Sequence, residues 1–92
     1  MSHFLSLQAL PLIYTIIGWT GTIAYLAAYL LLSLNKLSSD QFLYHLLNIA
    51  GAVGLIVHAL NLNDYPNLAV NICWGIIAII AIVHIRNKRV RN

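Results

Sequence analysis

Of 92 residues, 61% are hydrophobic and only 8% are charged, with a net charge of +3 at pH 7 and a mean hydropathy of +0.83. A water-soluble domain has about a quarter of its residues charged, so a globule surrounded by water is excluded and lipid is the solvent that fits. The single cysteine, Cys73, excludes an intrachain disulfide and the usual Cys-based zinc patterns, and reads as a small apolar filler.

Residues 1–11, MSHFLSLQALP, have no Lys or Arg ahead of an apolar run and no small-x-small cleavage site, so a signal peptide is not expected. They read as an N-terminal extension that lies at the interface or prolongs the first helix, with Pro11 in the first turn. Three apolar runs follow, and they predict helices over about 12–34, 42–60 and 66–85. None of the three contains Lys, Arg, Asp or Glu. Each approaches the ~20 residues that cross a bilayer core as a helix, and a lone strand would leave its backbone unpaired in lipid. The expected fold is therefore all-α, a bundle of three transmembrane helices forming one domain over 12–85.

Two short turns divide the runs. In NKLSSDQ, residues 35–41, Ser38 and Gln41 match a capping box, and Asp40 suits the start of a helix dipole. In NLNDYPN, residues 61–67, Asp64 before Tyr65-Pro66 reads as a stop, cap and restart. Turns this short make neighbouring helices antiparallel. Lys36 then shares one face of the membrane with Arg86, Lys88, Arg89 and Arg91 of the basic tail, 86–92, while the opposite face has Asp64. The positive-inside rule places that basic face in the cytoplasm and the N-terminus outside. RNKRVRN is too short and too close to a span for nucleic acid; lipid headgroups are its expected partner.

Each run has a polar or small-residue stripe at helical spacing. The first is Thr15, Gly18, Thr22, Tyr25, Tyr29 and Ser33. The second passes through Gln41, Tyr44/His45, Asn48, Gly51/Ala52, Leu55 and His58. The third has Asn67, Asn71, Trp74/Gly75, Ala78 and Ala81. Such stripes either pack helix against helix or line a watered cavity. Three helices enclose little space, so a cavity points to a two-fold homodimer. With span centres near Ala24, Gly51 and Ile76, Asn48 and Asn71 differ in depth by roughly 10–12 Å and are not expected to bond each other. Asn71 needs a Tyr or Thr of the first helix, a second copy, water or a ligand. Trp74 shares its face, and a ring beside an amide suits a sugar or another small polar ring.

His3, His45, His58 and His84 are spread over different depths, which suits interfacial anchoring or local hydrogen bonds and not a metal site. Trp19 reads as an outer interfacial anchor. No carboxylate lies inside a span to orient a His, so neither a catalytic constellation nor a cofactor site is expected.

From Gly18 to Ile85 the chain resembles the bacterial half-SWEET (SemiSWEET, PQ-loop/MtN3 type) sugar transporters, three-helix chains that work as dimers. SSDQ falls at that family's short polar turn, and NDYPNLAVN, residues 63–71, matches its turn, helix-starting Pro and third-helix Asn. The resemblance implies that Asn71 faces a central sugar pocket. Two features depart from it. Ala27-Ala28 stands where the family has a Pro-Gln hinge, and Leu55 where it has a sugar-stacking Trp, for which Trp74 is a candidate substitute. GWTG, LLNIAGAVGL and YPNLAVNICW also resemble a set of short bacterial membrane proteins of unknown function. Two functions follow. One is a dimeric carrier of a small polar, sugar-like solute, with Asn71, Trp74, Asn48, Tyr25 and Tyr29 as binding residues. The other is a non-transporting interaction or accessory subunit whose stripes are helix contacts.

Overall fold

The computed structural model describes residues 2–91, with side chains from Ala9 to Val90. It contains α1 (Ser2–Ser33), α2 (Phe42–Leu62) and α3 (Tyr65–Arg91), with no strand among the described residues. Apolar segments long enough to cross a bilayer run over Ala9–Ser33, Phe42–Leu62 and Tyr65–Val90. This is a three-helix, multi-pass membrane protein. Its large apolar side chains, such as Leu12, Ile23, Leu60, Ile76 and Ile80, point outward. That is the inverse of a soluble protein, and it follows from having acyl chains in place of water outside.

Two boundaries differ from expectation. Pro11 lies well inside α1, not in its first turn. A proline withholds its own N–H and crowds the carbonyl four residues back, but its own carbonyl still accepts. Here it also accepts the Thr15 hydroxyl at 2.9 Å. The helical start at Ser2 makes residues 2–11 a continuation of α1; the side chain of His3 lies outside the described residues. At the other end α3 does not stop at Ile85 but carries the basic tail on as helix to Arg91. Lys and Arg are good helix formers, and cations suit the negative end of the helix dipole.

Both interhelical turns close in the same way. Asn35 and Asn63 take left-handed φ of 61° and 56°. The amides of Asn35 and Lys36 donate back to Leu32 and Leu31, and those of Asn63 and Asp64 to Leu60 and Ala59. This paired pattern satisfies the carbonyls that a helix end leaves open, and Asn tolerates the left-handed conformation better than branched residues do. Asn63→Val is expected to destabilise the protein by about 1–2 kcal/mol, and Asn63→Gly to leave it unchanged or slightly firmer, as measured by chemical unfolding in detergent. Equal effects of the two would show that φ at Asn63 is not what matters. Past each turn the caps differ. Asp64 Oδ1 accepts the Asn67 amide at 3.3 Å, as expected for the start of α3. The Gln41 side chain accepts the Ser38 amide at 2.7 Å, so the Ser38/Gln41 pairing forms, but inside the turn: α2 begins only at Phe42.

α2 is the central element. α1 and α3 both pack along it, and their backbones do not meet each other. The two seams are unequal. A Cβ on Gly54 would lie 2.8 Å from the Ile17 carbonyl oxygen and 2.9 Å from Gly21 Cα, and one on Gly21 would lie 2.8 Å from the Gly51 carbonyl oxygen. Backbone therefore touches backbone where α1 crosses α2. At the α3 seam a Cβ on Gly75 would meet Ala52 Cβ at an ordinary 3.4 Å. The buried apolar residues are correspondingly small, chiefly Ala28, Ala52, Ala59 and Ala78.

Candidate functional site

Because α1 and α3 flank α2 without meeting, a cleft runs between them. The inner part of it, toward the end that has Lys36, is an open groove of about 240 Å³ lined by Tyr25, Tyr29, Tyr44, Asn48 and Trp74. Four of the five residues expected to bind solute thus come together on one surface. Tyr44 joins them; it was visible in the second stripe but not singled out as a ligand-facing ring. The outer part is a separate hollow of about 310 Å³ lined by Thr15, Gly18, Trp19, Thr22, Leu55, His58 and Asn67. Trp19 and His58, read from sequence as interfacial anchors, face this hollow. Leu55 and Trp74 line different hollows, so Trp74 does not stand in the place that Leu55 holds.

Asn71, the fifth expected residue, lies between the two hollows and lines neither. It is buried, with 3% of its surface exposed. The Tyr25 hydroxyl donates to its Oδ1 at 2.7 Å, and its Nδ2 donates to the Asn67 carbonyl at 2.9 Å and to the Asn67 side-chain oxygen. Of the partners the sequence left open, a helix-one tyrosine is the one found. Asn67 is not an idle interfacial amide, since it takes the second half of the Asn71 amide. The pair bridges helices whose backbones are apart, and Gly51 makes this possible. A Cβ on Gly51 would sit 2.7 Å from the Tyr25 ring, so the ring lies across α2 where that glycine leaves room for it. The result is a hydrogen-bonded bar across the cleft, at the boundary of its inner and outer parts.

The other polar groups are held locally. Asn48 Nδ2 donates to the Tyr44 carbonyl at 3.0 Å and not to Asn71, in keeping with their difference in depth. The Thr20 and Thr22 hydroxyls donate to the Ile16 and Gly18 carbonyls. His45 is buried against the inner turn: its Nε2 lies 2.6 Å from the Ser39 carbonyl and its ring stands edge-on to Tyr44, centroids 5.0 Å apart. Among the described residues, no buried side-chain nitrogen or oxygen lacks a hydrogen bond, and no three His, Cys, Asp or Glu side chains converge as a metal site would need. Chemically, the inner groove offers three phenol rings, an indole and an amide. Rings stack on flat apolar faces of a solute while hydroxyl and amide groups bond its polar edge.

A family model matches residues 14–89, from within α1 to the basic end of α3. The chain belongs to that family. It is an uncharacterised family and brings no activity with it. The matched region contains both hollows and the Tyr25–Asn71 bar, so family membership covers the whole candidate site. No curated relative and no solved structure matches the chain significantly.

Proposed function

We propose that the protein is a non-enzymatic, dimeric carrier of a small polar, sugar-like solute, of half-SWEET type. The observation that supports this is the inner groove, where Tyr25, Tyr29, Tyr44, Asn48 and Trp74 converge on one open surface. A groove open on one side is completed by a two-fold copy facing it, and transport then proceeds by rocking of the two halves around the enclosed site. Asn48 and Trp74 contact solute in this reading. Asn71 acts through Tyr25, whose hydroxyl it holds. The bacterial inner membrane is the expected location. The basic end, with Lys36, Arg86, Lys88, Arg89 and Arg91, faces the cytoplasm, and Asp64 faces outward.

The test is uptake into proteoliposomes over a panel of labelled sugars and vitamins. Uptake of one solute, reduced at least ten-fold by Trp74→Ala, supports the carrier; a factor of ten corresponds to about 1.4 kcal/mol, within the range of one stacking contact. Absence of uptake for the whole panel, or uptake indifferent to Trp74→Ala and Asn48→Ala, rejects it.

One observation favours the second reading, a non-transporting interaction subunit. Both ends of the Asn71 amide are already satisfied within the chain, which is how a packing residue behaves. The readings differ in water access. On a Cys73→Ala background, a cysteine at position 48 reacts readily with a membrane-impermeant thiol reagent in a carrier, and stays unreactive in a dry helix contact.

A further inference from the structure

The basic end of the molecule has a hollow of its own. It measures about 310 Å³ and is lined by Asp40 from the α1–α2 turn and by Ile85, Lys88 and Arg89 from α3. Its height follows from helix geometry. At 1.5 Å per residue, Tyr65 to Ile85 rises about 30 Å, the thickness of a hydrocarbon core. Ile85 thus marks the level where acyl chain ends, and Lys88 and Arg89 stand one turn higher, at the level of lipid phosphates. Because α3 stays helical to Arg91, both cations are carried on a regular helix beside the turn. Asp40 is fixed as well. The Ser38 hydroxyl donates to its carboxylate, the Asp40 amide donates back to the Ser38 oxygen at 3.3 Å, and the Ser38 amide is tied to Gln41. The hydrogen bond from Ser38, and to a lesser degree the Lys88 charge, hold this carboxyl below the ordinary carboxylate range, so it is ionised at neutral pH.

We infer that this hollow is a binding site for the phosphodiester headgroup of an anionic, hydroxyl-bearing phospholipid such as phosphatidylglycerol, seated between Lys88 and Arg89 with its glycerol hydroxyls donating to Asp40. Charge selects the ligand. Two cations and one carboxylate leave a net +1. That complements the single charge of a phosphodiester, whereas a phosphate monoester at its usual −1.5 to −2 is over-charged for the site and meets Asp40 unfavourably. The bidentate fork of Arg89 fits a tetrahedral phosphate, Lys88 adds a point charge, and Ile85 offers an apolar floor to the first methylenes of the acyl chain. Basic pockets at the membrane surface beside spanning helices are known to hold anionic lipid headgroups.

The test is native mass spectrometry of the full chain purified in detergent and exposed to equal amounts of phosphatidylglycerol, phosphatidylethanolamine and phosphatidylcholine. Phosphatidylglycerol adducts are expected to dominate at least five-fold. The Lys88→Gln/Arg89→Gln double variant loses that preference. The Lys36→Gln/Arg86→Gln double variant removes the same charge from the same end but outside the hollow, and retains the preference. Asp40→Asn is expected to admit phosphatidic acid, a monoester, that the parent protein excludes. Inorganic phosphate at millimolar concentration does not displace the lipid. Equal loss in the two double variants would reduce the effect to unspecific tail charge and overturn the site. Equal retention of phosphatidylethanolamine would overturn the selectivity, and displacement by inorganic phosphate would make the ligand a free anion.

Discussion

Gly54→Ala is expected to destabilise the protein by about 2–3 kcal/mol, at the upper end of what an added methyl costs in a tightly packed contact. The reason lies in what the new Cβ meets. The Ile17 carbonyl oxygen at 2.8 Å and Gly21 Cα at 2.9 Å are backbone atoms of α1, and they cannot rotate aside. To make room, α1 must move away from α2 along its length, loosening Ile17, Gly18 and Gly21 together. Gly75→Ala is the matched control. Its Cβ meets Ala52 at 3.4 Å, and alanine is the better helix former by up to about 1 kcal/mol, so this variant is expected to be neutral or slightly stabilised. Reversible unfolding in a mixed detergent gives both values. Similar values for Gly54→Ala and Gly75→Ala would mean that the α1–α2 seam is not the close contact described.

The second large effect is expected at the bar across the cleft. Asn71→Ala is expected to cost about 2 kcal/mol, because it leaves the Tyr25 hydroxyl without its partner and opens space at a buried position. Tyr25→Phe removes only the donor and should cost about 1 kcal/mol, since hydrogen bonds between membrane helices average ~0.6 and reach ~1.7 kcal/mol. In the double variant the two losses should fall short of additivity by about 1 kcal/mol, the coupling of a direct contact. Gly51→Ala, which touches neither polar group, is expected to reproduce part of the loss by pushing the Tyr25 ring off its track. Strict additivity of the Tyr25 and Asn71 variants would show that the two residues do not interact.

Much of this was legible in the sequence, and the reasons are specific. The three helices stand out because runs free of charge and about twenty residues long have one structural outcome in lipid. The polar stripes identify Tyr25, Tyr29, Asn48 and Trp74 because spacing of three and four puts them on one face, and the structure does bring them to one groove. The Tyr25–Asn71 pair could not be picked out from spacing alone. Taking Ile76 as the centre of the third span puts Asn71 about 7 Å outside the mid-plane, whereas Tyr25 is next to the centre of the first. Helical side chains tilt toward the N-terminus of their own helix, which for α1 is the Asp64 end. The long phenol of Tyr25 covers the difference in that direction. The continuation of α1 through residues 2–11 was one of two readings left open, and what misled was Pro11, which reads as a first-turn residue although a helix can continue past a proline at the cost of one donor and a crowded carbonyl. The extension of α3 was hidden because charge ends a membrane span but does not end a helix.

The unequal seams on α2 also bear on how the molecule is assembled. A ribosome delivers α1 and α2 to the membrane before α3. The first hairpin has in itself the Gly21, Gly51 and Gly54 contact, so it can lock as soon as α2 is inserted. α3 is added to that hairpin and, among the described residues, is held by alanine-sized contacts and by the long-range side-chain bond from Tyr25 to Asn71. The order of insertion thus matches the order of closeness: the pair joined backbone to backbone is made first, and the helix joined by side chains is added to it.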